Sequence, residues 1–171
     1  DVINAGGGTA DTLNATIEDA AGAVTVAPML SNLEIVNLTI TDGNGANAAV
    51  TFNQVDSTGI NTIGVTMEDD VNAIVSNANL SQSIKFNDGG ATADAGVTYA
   101  TAALSTATDG GSDSATVSME DIDVASYTSA GIENLTINVS GLAGDVDTLV
   151  MTSLEKLTIT GGVDNPDATT E

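Results

Sequence analysis

The sequence of 171 residues has no cysteine, histidine, arginine or tryptophan, and its aromatic content is two Phe and two Tyr. Each absence removes a class of chemistry. Without Cys there is neither a disulfide framework nor a thiolate metal site. Without His or Cys no Ser-His-Asp or Cys-His relay can be assembled. Lys85 and Lys156 are the only cationic side chains, so the clustered positive charge that holds nucleic-acid phosphates is lacking and no nucleic-acid partner is expected. The same charge balance repels an anionic membrane surface. No run approaches the roughly 20 apolar residues of a bilayer span, so no membrane insertion is expected, and the N-terminus carries no signal-peptide pattern.

What is present is acid. The chain holds 24 carboxylates and a formal net charge of −22, yet 42% of its residues are hydrophobic and only 15% charged. That leaves enough apolar material for a core, formed against self-repulsion. Divalent cations are the partners such a surface invites. The length suits one repetitive β domain over residues 1–171, read as a section of a larger extracellular protein because the chain starts without Met and ends without a closing element.

One phrase recurs: an apolar residue, usually followed by an acid, then Leu/Val-Thr-Ile/Met closed by Gly, Asp or Asn. It appears as Leu33-Glu34-Ile35-Val36-Asn37-Leu38-Thr39-Ile40, Ile132-Glu133-Asn134-Leu135-Thr136-Ile137 and Leu154-Glu155-Lys156-Leu157-Thr158-Ile159, and more loosely at Ile63–Met67 and Ser83–Phe86. Further β-branched, Thr-rich runs occur at Leu13–Ile17, Ala23–Val26, Val50–Phe52, Ala73–Val75, Val97–Tyr99, Ala115–Met119 and Leu149–Met151. Their period of two puts one face in a core. The three-residue offset of Leu154 from Leu157, and of Ile132 from Leu135, breaks that period and marks a corner or bulge.

Between the centres Thr39, Thr66, Lys85, Thr136 and Thr158 the steps are 27, 19, 51 and 22 residues. Steps of about 20 to 30 residues belong to solenoids; the long one reads as two rungs, the second marked by Val97-Thr98-Tyr99. The expected fold is all-β, a right-handed parallel β-solenoid, with a β-sandwich as the alternative. Sparse aromatics favour the narrow aliphatic coil. Residues 87–114, rich in Asp, Gly, Ala, Ser and Thr, read as a loop-rich excursion or weak rung.

Gly6-Gly7-Gly8-Thr9-Ala10-Asp11-Thr12-Leu13-Asn14 follows the nonapeptide G-G-x-G-x-D-x-U-x except at Thr9. A shorter form, Gly-x-x-Asp-Thr-Leu, runs over Gly8–Leu13 and Gly144–Leu149, with a relative at Gly110–Ala115. These segments resemble those of crystalline surface-layer proteins of Gram-negative bacteria and of secreted proteins of the repeats-in-toxin group. The resemblance implies a Ca²⁺-binding β-solenoid at the cell surface; the full nonapeptide array is absent.

Ca²⁺ takes six to eight oxygens from carboxylates, carbonyls and water, which flexible Asp/Asn/Gly loops supply. The candidate ligands are Asp11, Asp42, Asn44, Asp69, Asp70, Asp88, Asp109, Asp113, Asp145, Asp147 and Asp164. Any single turn is better explained by ordinary turn preference and a solvated charge; the surplus of acid without counter-cations favours at least one bound Ca²⁺ somewhere along the chain. Sequons stand at Asn14, Asn37, Asn79, Asn134 and Asn138, and stacked Asn or Thr ladders account for those inside the strand phrases. Catalysis has few parts to draw on: Asp69/Asp70 and Glu120/Asp121/Asp123 are the only carboxylate clusters for glycoside hydrolysis, without aromatics to seat a sugar, and no enzyme is expected. The expected function is structural: an extracellular, Ca²⁺-dependent surface-layer segment, self-associating into a lattice or filament, with cell-surface polysaccharide as a further partner. An adhesin stalk, or an ice- or glycan-binding solenoid, is the alternative.

Overall fold

A computed structural model describes residues 1–19, 22–43, 45, 48–68, 71–87, 93–101, 103–104, 112–141 and 145–161. Among them there is no helix. A short side pairs β1 (Val2–Asn4) with β4 (Met29–Ser31). The larger sheet stacks seven strands in chain order: β2 (Thr12–Glu18), β5 (Ile35–Thr41), β7 (Thr62–Met67), β9 (Ser83–Asn87), β11 (Ser114–Glu120), β13 (Asn134–Ser140) and β15 (Lys156–Thr160). The smaller sheet stacks six: β3 (Val24–Val26), β6 (Ala49–Asn53), β8 (Asn72–Ala78), β10 (Asp94–Tyr99), β12 (Asp123–Ala130) and β14 (Asp145–Met151). Every pairing is parallel.

Parallel neighbours need a crossover, and here the crossover of each sheet runs through the other. The result is a β-solenoid of about six turns. A β-sandwich of antiparallel hairpins is thereby excluded.

Register makes the core a set of columns. Leu13, Val36, Ile63, Ile84, Val117, Ile137 and Ile159 occupy one inward column, and Ala15, Leu38, Val65, Phe86, Met119 and Val139 the next. The opposite wall stacks Val24, Val50, Ala73, Ala95, Tyr127 and Leu149. From Val36 to Ile137 the first column is buried. Small and aliphatic side chains fill most of the space between the walls, with Phe52, Phe86 and Tyr127 spaced along the coil.

All five copies of the recurring phrase fall in the larger sheet, where the offset is a corner: Leu33 and Ile132 are buried just before β5 and β13 begin. Gly141 and Gly161 follow β13 and β15 with φ of +99° and +98°, a left-handed turn that costs glycine nothing. The long step does hold two rungs, but the second rung in this sheet is β11. Val97-Thr98-Tyr99 belongs instead to β10, paired between β8 and β12 in the smaller sheet. Three strands lie outside the expected set: β1, β4 and β12. In β12, Ala-Ser-Tyr-Thr-Ser-Ala carries little aliphatic alternation to read.

Candidate functional site

The Glu of the recurring phrase defines a corner. As the chain turns into the larger sheet, Glu34 N–H donates to the Asp11 carbonyl, and Asn134 N–H to that of Asp113. Stacking one rung on the next brings each Glu side chain back to the rung before it. Glu34 Oε2 accepts from the Asp11 backbone N–H at 2.9 Å, and Glu133 Oε2 from that of Asp113 at 2.8 Å. The same construction thus occurs twice, four rungs apart. Buried Leu33 and Ile132 anchor the residue preceding each Glu.

At the first corner the Asp11 carboxylate folds against Gly8, where a Cβ would lie 2.6 Å from Oδ2. That oxygen is buried without a hydrogen-bond partner. At the second, Asp113 is only 4% exposed. At each corner a Glu carboxylate oxygen caps the backbone N–H of an Asp, and carboxylate oxygens are hard ligands of the kind that suits Ca²⁺. Among the described residues no three carboxylates converge on one point. An ion held by Asp11 and Glu34, or by Asp113 and Glu133, would complete its shell with main-chain carbonyls and water.

The remaining candidates part company. Asp42 Oδ1 accepts the Gly45 N–H at 2.5 Å, an Asx turn. That turn is held from the previous rung by Asp19, 3% exposed, whose two oxygens accept from Gly43 N–H at 2.9 Å and Ala48 N–H at 3.0 Å. Asp19 escapes sequence reasoning because Glu18-Asp19 looks like a solvated strand end; only the stacking reveals the loop above it. Asp147 lies exposed within β14 of the smaller sheet, so the third copy of Gly-x-x-Asp-Thr-Leu, although spelled like the first, stands on a different wall. Asp145 opens the same strand. Asn44, Asp69, Asp70, Asp88, Asp109 and Asp164 lie outside the described residues.

The outer face of the larger sheet is polar and laddered. Asn37 Nδ2 donates to Asn14 Oδ1 at 2.9 Å, Asn134 Nδ2 to Ser112 Oγ at 3.0 Å, and Thr160 Oγ1 to Asn138 Oδ1. Four of the five sequon asparagines therefore bond between rungs. The Thr-x-Thr pairs do not repeat: Thr41 stands against Glu18, and Thr160 against Asn138. Glu120 of the carboxylate cluster forms an ion pair with Lys85.

The same face opens into a groove of about 620 Å³. β9 pairs with β11 only from Val117 to Glu120, so at Ser114–Thr116 the sheet parts. The Leu80-Ser81 turn forms one wall. Gln82 is turned inward, 6% exposed. Comparison with family models, curated proteins and solved structures found no match to this chain.

Proposed function

We propose that the chain is an architectural segment of a bacterial surface layer, a rod of stacked rungs whose acidic corners take up Ca²⁺ outside the cell. The observation that carries this reading is the corner built twice, Asp11 with Glu34 and Asp113 with Glu133, in a molecule of net charge −22. A bound Ca²⁺ would supply two positive charges and fix one turn against the next. The chain's own contribution is the rest: the backbone hydrogen bonds set the spacing of each Asp and Glu, and the buried Leu33 and Ile132 keep it fixed. Self-association into a lattice or filament is part of the proposal, since a coil of parallel rungs presents a continuous polar face along its length.

For extracellular sites of Kd near 10⁻⁴ M, millimolar Ca²⁺ adds about 1.4 kcal/mol per site. With about 2–4 °C per kcal/mol for a domain of this size, two corners raise Tm by several degrees over its value in EDTA. Asp11→Asn and Asp113→Asn should each remove about half of that rise. Thermal unfolding followed by circular dichroism checks both, and a midpoint indifferent to Ca²⁺ would discard the reading.

A further inference from the structure

We propose that the groove beside Ser114–Thr116 is a binding site for an uncharged polysaccharide, lying along the solenoid axis across β9, β11, β13 and β15. Register places Thr116, Thr136 and Thr158 in one outward column along the floor, with Ser114, Asn134 and Lys156 in the column beside it and Ser83 at the edge where β9 begins. Strands repeat at about 4.8 Å, so the three rungs present hydroxyls over about 10 Å. That is the reach of a short run of sugars, each meeting a similar hydroxyl set as it passes from rung to rung.

Two independent features favour a ligand here over a merely solvated face. The sheet opens at this point alone within the β9–β11 pairing, leaving Ser114–Thr116 without a strand on that side. Lys156 also points to a ligand. Lys85 is paired with Glu120, so among the described residues Lys156 is the one lysine without a carboxylate partner, and it lines this groove. Three ammonium donors and a row of hydroxyls match ring and hydroxyl oxygens. The net charge of −22 opposes a polyanion, which excludes acidic glycans as the preferred class. No aromatic lines the groove, so hydrogen bonds, made weakly per sugar, must carry the affinity.

The inference deepens the surface-layer reading by naming its polysaccharide partner, but it does not depend on Ca²⁺. The test is titration of ¹⁵N-labelled protein with cellohexaose, maltohexaose and a hexagalacturonate, followed by amide chemical shifts in Ca²⁺ and in EDTA. At least one uncharged hexasaccharide should shift the amides of Ser83, Thr116, Thr136 and Thr158. Thr136→Val, at a half-buried position, and Lys156→Met, at an exposed one, should each weaken that binding by at least fivefold, while Thr39→Val, outside the groove, leaves it unchanged. Shifts clustered elsewhere, binding of the acidic hexamer alone, or no saturable shift with either neutral sugar overturns the proposal. Retained binding in a protein whose Tm ignores Ca²⁺ would sink the ion-binding reading and leave the groove standing.

Discussion

The Gln82 side chain takes part in four hydrogen bonds in the interior of the coil. Its Nε2 donates to Gln54 Oε1 at 2.8 Å and to the Ile60 carbonyl at 3.0 Å; its Oε1 accepts from Asn79 N–H at 2.9 Å and, more weakly, from Gln54 Nε2 at 3.4 Å. Gln54 shares only two of these. Each buried polar group left unpaired costs about 1–3 kcal/mol, so the two residues are not equivalent although both are glutamines in the same cluster. Gln82→Leu strands the Ile60 carbonyl, the Asn79 N–H and the Gln54 amide, whereas Gln54→Leu strands part of one side chain. Thermal or denaturant unfolding should therefore rank Gln82→Leu as the more destabilised; the reverse order would mean that the pair, and not the turn it secures, is what matters. Asp19 works by the same logic on the N–H groups of Gly43 and Ala48. Neither residue announces itself in the sequence, because apart from the Asn79 N–H, three positions from Gln82, the groups they serve lie 20 or more positions away and adjoin them only through stacking.

At the scale of elements, β10 and β12 carry both tyrosines, and both phenols sit inside the coil. Tyr127 meets Phe86 edge-on, with ring centroids 6.4 Å apart at 70°. Burial pushes the Tyr99 phenol up to about 12 and raises that of Tyr127 as well, the nearby Tyr99 adding to the effect and Ser129 opposing it. A folded pKa above the unfolded value near 10 means stability fully present below pH 10 and lost as the pH climbs through the folded value. Spectrophotometric titration should find neither phenolate at pH 10.5 while the β circular dichroism persists, then both appearing together as the fold is lost. A separate tyrosine ionising with the dichroism intact would place that ring at the surface. These strands were also the least legible. The phrase Leu-Thr-Ile carries a period-two pattern strong enough to mark five of the seven strands of the larger sheet, but not the rung at β11. In β12 the buried Tyr127 stands among small and polar residues, so the strand has no aliphatic alternation of its own and exists by tertiary placement more than by propensity. The candidate site was half legible for a related reason: Asp11 and Asp113 follow from the glycine motif, but pairing each with a Glu 20 or more residues onward requires the register.

For the whole molecule the governing quantity is charge at rung spacing. Glu133 and Glu155 are successive members of one corner, joined by the Glu155 N–H to the Glu133 carbonyl, and strands in such a stack lie about 4.8 Å apart. Screening acts over about 30 Å at 0.01 M salt and about 8 Å at 0.15 M. Raising NaCl between those limits should therefore raise Tm, by relieving repulsion between distant acids on different turns. It cannot relieve neighbours one rung apart, which remain inside the screening length. Ca²⁺ seated at the Asp11–Glu34 and Asp113–Glu133 corners acts at that short range, so its increment in Tm should survive in 0.15 M NaCl. If the increment instead vanishes once the salt is present, the divalent ion is working through the ionic atmosphere, and the corners are turns that happen to be acidic.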